Sequence, residues 1–352
     1  MKRILILAAL AFLASAVTSC DDNGKINIPP VDVQIDATSD IHAEDLLGLK
    51  SQAVGYDSQS DFYYVENPAS TSLQANVSLT TAPSAIPGSL EIDNSVLPDV
   101  AHLKDGSLEQ SAIVLTVDNP SDEVVTIVGK ASADDVVFTL PDVTLGAKSN
   151  HDVCFVSVNS SSLIVPGYTD PDYYVSLPEP GKAIDKGPAK IVVSDLGVSS
   201  VSSKAIAPAG GSYEFKVDAK YIAPLAYKAG SKIHLDRTFK DLNIALDRVN
   251  YPCSEYDIYM EVENTLPFDI IFTVSSSEGI SGSLKNPIKA GSTKNPVTTS
   301  VVFNIKDSSG KAVSNINSAD LGIDLTAAEG ATLQKGQAIG LKVSKLSIIN
   351  LF

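Results

Sequence analysis

The residues of this chain best suited to chemistry stand in small, separate groups. Asp40-Ile41-His42-Ala43-Glu44-Asp45 gathers carboxylates and an imidazole into one short stretch, the donor types that hold a cation. The same stretch reads as the polar first turn of a short helix within Ser39 to Lys50, capped by Ser39, and that is the expectation taken forward. Asp134-Asp135 and Asp170-Pro171-Asp172 are acidic loop signals with no EF-hand pattern around them. Histidine occurs at His42, His102, His151 and His234, and no H-E-x-x-H, C-x-x-C or G-x-S-x-G motif is present. No serine, threonine or cysteine has a base and an orienting group at a recognisable spacing. The expectation is a chain that is not an enzyme and takes no metal and no cofactor.

Recognition has more to work with than catalysis. Phe62-Tyr63-Tyr64 precedes Val65-Glu66-Asn67-Pro68, and Asp172-Tyr173-Tyr174 precedes Leu177-Pro178-Glu179-Pro180. Neighbouring side chains of a strand point to opposite faces, so one tyrosine of each pair should face outward. Tyr63, Tyr64, Tyr173 and Tyr174 are therefore candidate ligand contacts, since tyrosine offers much contact area for little lost entropy. The alternative is one core and one edge tyrosine in each pair. Tryptophan is absent, which weakens a sugar-stacking platform.

Those side chains must be positioned by strands. Apolar residues make up 44% of the 352, so a real core can form. Alternation marks Val31 to Ile35, Leu73 to Leu79, Ile113 to Val117, Tyr213 to Ala219 and Tyr256 to Val262, with turn signals such as Asp118-Asn119-Pro120 between them. Three segment pairs recur in order: Ile113–Asn119 with Ile258–Asn264, Asp185–Leu196 with Gln334–Leu346, and Leu73–Pro83 with Tyr213–Pro224. They suggest a duplication. The expected fold is all-β: two tandem, duplicated antiparallel β-sandwich domains of immunoglobulin/transthyretin-like type, at 31–200 and 201–352. Residues 20–30 read as an acidic, flexible tether ending in Pro29-Pro30.

The net charge of −16 and the scarcity of arginine (Arg3, Arg237 and Arg248) leave no basic stripe for phosphates, which argues against nucleic acid as a partner. Cys154 and Cys253 fall in different halves and read as buried free thiols rather than a disulfide scaffold.

The first residues carry the most specific signal. Lys2 and Arg3 precede an uncharged apolar run, Ile4 to Val17, which is shorter than the roughly 20 residues a membrane span needs. It ends in Val17-Thr18-Ser19-Cys20, which resembles the lipobox of bacterial lipoproteins. That resemblance implies a signal peptide over residues 1–19 and lipid on Cys20, diacylated on sulfur and acylated on its new amino group. Asp21 and Asp22, directly behind it, resemble the surface-export signal of Bacteroidetes lipoproteins. The expectation is a non-enzymatic outer-membrane or cell-surface lipoprotein acting as a binding or structural, adhesion-type module. Its partners would be the membrane, through the lipid on Cys20, and a protein or glycan of unknown identity. The overall plan also resembles the pilins of the Bacteroidetes. Those are generally cleaved after a basic residue, typically arginine, and none lies between Arg3 and Arg237, so lysine would have to serve. A periplasm-facing accessory in envelope assembly or polysaccharide use is a further alternative.

Overall fold

The computed structural model describes residues 31–103, 105–157, 173–202, 212–239, 253–276, 279–309 and 318–351. Residues 1–19, expected as a signal peptide, together with Cys20, Asp21, Asp22 and Asp170-Pro171-Asp172, lie outside them. The regular structure of the described residues is almost entirely strand, in two compact units: residues 49–231 form one, and residues 1–48 with 232–352 form the other.

The 49–231 unit holds β2 (Val54–Asp57), β3 (Phe62–Pro68), β4 (Leu73–Val77), β5 (Ser84–Ala85), β6 (Leu90–Asp93), β7 (Ala112–Asn119), β8 (Val125–Ala133), β9 (Val136–Leu145), β10 (Ser149–Val156), β11 (Tyr173–Ser176), β12 (Lys190–Ser200) and β13 (Tyr213–Pro224). One sheet runs β11-β10-β7-β13-β3-β2, with β4 also on β13; the other runs β5-β12-β8-β9, with β6 also on β12. Their inner faces carry the core, including Ile92, Ile113, Leu115, Ile127, Leu140, Val193 and Phe215, each at most 4% exposed. Each such side chain contributes about 1.5–3 kcal/mol by leaving water.

The other unit holds β1 (Val31–His42), β15 (Lys232–Phe239), β16 (Cys253–Asn264), β17 (Phe268–Ser275), β18 (Ile280–Leu284), β19 (Val297–Asp307), β20 (Ala319–Ala327) and β22 (Ala338–Leu351). They form one eight-stranded sheet in the order β1-β22-β16-β19-β18-β17-β20-β15. The two-residue strands β14 (Ala226–Tyr227) and β21 (Ala331–Thr332) belong to none of these sheets.

Counting β3/β4 and β5/β6 as one strand each and setting β2 and β11 aside, the strands of each unit numbered one to eight along the chain give one plan twice. Strand eight pairs with one and three, and three pairs with six: β13 with β3/β4 and β7, and β7 with β10; β22 with β1 and β16, and β16 with β19. Strand seven pairs with two and four, and four pairs with five: β12 with β5/β6 and β8, and β8 with β9; β20 with β15 and β17, and β17 with β18. This is the double Greek key of a jelly roll. The sandwiches expected from alternation are there, but their strand order is not the immunoglobulin one.

The chain is divided differently from the expected boundaries at 31–200 and 201–352. β1 pairs with β22, from Val31 opposite Ile348 to His42 opposite Ala338. The 49–231 unit is therefore inserted between the first and second strands of the other, and β13, beyond residue 200, completes the inserted unit. Of the three recurring segment pairs, only Ile113–Asn119 and Ile258–Asn264 occupy equivalent strands. Leu73–Val77 lies directly against Tyr213–Val217 in one sheet, and β12 and β22 fill the seventh and eighth places. Alternation reports burial of one face and is blind to which strand lies alongside. The expected helix is one turn, α1 (Ala43–Leu46), with His42 rather than Ser39 at its N-cap; Ser39 lies in β1.

Candidate functional site

In the inserted unit the sheet containing β7, β10 and β13 is apolar on both faces over part of its length. β10 alternates at first and then runs fully buried from Val153 to Val156, and β13 does so from Tyr221. Ala112, Val114, Cys154, Val156 and Ile222 form a cluster on the face opposite the main core, and Tyr64 and Tyr174 pack against it. The registers explain the grouping. Val114 lies opposite both Cys154 and Lys220, and Cys154 lies opposite Tyr174. Ala112 lies opposite Val156 and Ile222, and Tyr64 lies opposite Pro224 and Gly55. Any side chain at position 55 would run into the Tyr64 ring, so Gly55 is what lets that ring lie flat across β2.

Ion pairs and hydroxyl–carboxylate hydrogen bonds border this face. Lys220 Nζ sits 2.9 Å from Glu66 Oε1, and Thr116 donates to Asp152 Oδ1 at 2.7 Å. Ser72 donates to Asp218, which also pairs with Lys216, and these donors hold the Asp218 carboxyl below its usual range. Burial pushes the Cys154 thiol up to about 12, so it stays protonated and behaves as a small apolar side chain.

The four sequence-predicted tyrosines divide. Tyr64 and Tyr174 meet on the outer cluster. Tyr63 turns inward, 6% exposed, with its ring 5.3 Å from that of Tyr56. Tyr173 sets its ring 5.6 Å from His151 at a steep angle. The cluster residues themselves were not among the sequence candidates. The signal that marks them is the loss of alternation in Ile113-Val114-Leu115 and Val153-Cys154-Phe155-Val156, which means burial on both faces.

The remaining polar groups serve the framework. Ser149 Oγ lies 2.5 Å from His151 Nε2 and 3.3 Å from the Ala147 carbonyl, closing the turn between β9 and β10. Asp185 is buried and accepts from Ser111 Oγ at 2.5 Å; burial pushes its carboxyl up, against those bonds and Lys228 at 3.9 Å. His102 presents Nδ1 to the Gly187 carbonyl at 2.7 Å. His234 stands between Asp324, 2.7 Å from Nδ1, and Asp236, 3.1 Å from Nε2. The bond to Asp324 above all raises its pKa. Asp257, nearly buried, is held by Lys285 at 2.6 Å and Asn304 at 2.8 Å. His42 and Asp40 are both exposed at the end of β1, and among the described residues no group of three or more histidine, cysteine or acidic side chains is placed to hold a metal ion. The outer face is thus a buried apolar cluster with two half-buried tyrosines against it and a polar border.

No protein-family model matches the chain, and no curated protein matches it in sequence. Among solved structures, it is similar to a protein from Parabacteroides distasonis described as secreted, with 15% identity, 92% of this chain and 100% of that chain covered, and a TM-score of 0.57. At that identity the likeness is one of fold. The exported protein XepA of PBSX shares 14% identity over 84% of this chain and 95% of its own, with a TM-score of 0.19, too low to carry an argument. Among the described residues no helix is long and apolar enough to cross a membrane.

Proposed function

We propose that this chain is an exported, lipid-anchored, non-enzymatic module that binds or scaffolds at the outer membrane, displayed on the cell surface. The observation that carries the reading is Val17-Thr18-Ser19-Cys20 behind a basic start and an apolar run, standing ahead of the first strand. Several acyl chains on one residue give stable attachment, since each buried methylene contributes about 0.8 kcal/mol. The acidic residues Asp21 and Asp22 support display, and so does the structural likeness to a protein of a Bacteroidetes member described as secreted. The tyrosine-flanked outer face supports recognition as the working role.

Two measurements test it. Cys20→Ala should leave both units folded and move the protein from the membrane to the soluble fraction; continued fractionation with membranes would show that lipid is not the tether. Protease shaving of intact cells, read by mass spectrometry, should release fragments of both units. Full protection of protein that remains membrane-bound would overturn surface display in favour of a periplasmic face.

A further inference from the structure

The third strand of each unit is buried on both faces over part of its length, and the two units fill the second face differently. Asp257 stands directly before Ile258–Asn264, as Ala112 stands before Ile113–Asn119. Each faces the sixth strand of its own unit: Ala112 lies opposite Val156, and Asp257 lies opposite Asn304. The shared plan therefore needs no charge at this place, since the inserted unit fills it with an apolar pair. A buried ion pair is seldom more stable than packed apolar side chains in its stead. Yet the Asp257 side chain, only 9% exposed, holds both Lys285 and Asn304.

Three neighbouring strands bring these side chains to one face. β19 lies between β16 and β18, so Asn304 has Asp257 on one side and Ser283 on the other. Lys285 follows Ser283 by two positions and shares its face, diagonal to Asn304. Its N–H donates to the Val302 carbonyl at 2.9 Å, which continues the β18–β19 ladder. The Lys285 side chain then crosses β19, and Nζ donates to Asp257 Oδ2 at 2.6 Å. Asn304 Nδ2 donates to Asp257 Oδ1 and to Glu255 Oε1, each at 2.8 Å. An amine and a carboxamide thus meet on the two oxygens of one buried carboxylate.

We infer that Lys285 and Asn304 become joined by an isopeptide bond that the fold itself forms, with Asp257 as the acid–base catalyst. Lys285 Nζ passes a proton to Asp257 along their hydrogen bond, and the freed amine attacks Asn304 Cγ. The Nζ–Cγ bond forms and the Cγ–Nδ2 bond breaks. Of the hydrogens on the lysine ammonium, one stays in the new amide and the others reach Nδ2 through Asp257, so the nitrogen leaves as ammonium. No oxidant, reductant or co-reactant is consumed. Glu255 holds the carboxamide from its other side, and the shared carboxylate holds amine and amide together, so the folded sheet supplies the proximity the step needs. The link closes residues 286–303 into a ring and ties β18 to β19 by a covalent bond, which their main-chain hydrogen bonds alone do not provide. It concerns one unit and is independent of how the chain is anchored.

Peptide mapping of the purified, folded chain by mass spectrometry tests this. Trypsin should leave the chain uncut after Lys285, and peptide 249–289 should be found joined to 295–306, lighter than their sum by one ammonia. Separate peptides, with the chain cut after Lys285, overturn the inference. Lys285→Arg keeps a cation facing Asp257 but removes the primary amine, so it should fold and yield no joined peptide. Ammonia lost without a joined peptide, or lost equally in Lys285→Arg, would mark a cyclic imide at Asn304 and overturn the inference. In Asp257→Asn the joined peptide should be at least about tenfold scarcer at equal age, since a positioned acid–base group contributes about a hundredfold or more. Equal yield would overturn the assignment of Asp257 as catalyst.

Discussion

Asn119 and Asn264 make the same three hydrogen bonds, 145 positions apart, at the same corner of two different sandwiches. Asn119 Nδ2 donates to the carbonyls of Glu123 at 3.0 Å and Gly146 at 2.6 Å, and its Oδ1 accepts from Ser121 N–H at 3.1 Å. Asn264 Nδ2 donates to Phe268 at 3.0 Å and Lys289 at 2.8 Å, and its Oδ1 accepts from Leu266 N–H at 2.8 Å. Both side chains are fully buried. Each ties the end of strand three to the start of strand four and to the connection leaving strand five. Pro120 follows one and Thr265 the other, so the asparagine, not its successor, is the repeated element.

Asn119→Ala and Asn264→Ala should therefore each destabilise their own unit by at least about 1–3 kcal/mol, because three backbone groups lose their partner in a buried place. Urea unfolding followed by probes specific to each unit reads this out. A loss confined to one variant would break the equivalence.

Cys154 should resist alkylation in the folded protein, being buried with its thiol held at about 12. Peptide mapping after iodoacetamide treatment should show the Cys154 peptide modified only in denaturant. Modification at neutral pH without denaturant would mean that the outer cluster opens.

Asp185 gives a pH dependence of definite sign. Burial raises its folded pKa above the unfolded value. Its stabilising contribution is then fully present below about pH 4 and is lost as pH rises through the folded value. Asp185→Asn, which cannot ionise, should lose that slope: the variant should gain on the unaltered chain between acid and neutral pH. Parallel stability curves for the two proteins would show that Asp185 is not the titrating group.

His234 behaves likewise at higher pH. Its folded pKa is raised, mainly by Asp324, so its contribution is whole below about pH 6.5 and is lost as pH rises through the folded value. The imidazole side chain is 46% exposed, which limits the effect to less than about 1 kcal/mol. His234→Gln should be less stable than the unaltered chain at pH 5 and equal to it at pH 9, measured by thermal unfolding.

Much of the local structure was legible in the residues. Tyr213 to Ala219 alternates in sequence and alternates in burial, and Ile113–Asn119 and Ile258–Asn264 do occupy equivalent strands. The candidate site was half legible. Adjacent tyrosines announced one outward ring in each pair without saying which, and nothing at position 64 tells of position 174, because their meeting depends on the parallel register of β11 on β10 and the antiparallel register of β10 on β7.

What the sequence determined by itself is whatever depends on near neighbours: the all-β character and the positions of most strands and turns. Those follow from hydrophobic period and local backbone preference. Tertiary structure alone decided that β1 closes onto β22, that a whole sandwich is inserted after it, that both sandwiches are jelly rolls, and that one sheet is apolar on both faces. The physical reason is that main-chain hydrogen bonds between strands carry no residue code. An alternating strand satisfies any edge of matching length, and only packing of the complete chain selects one.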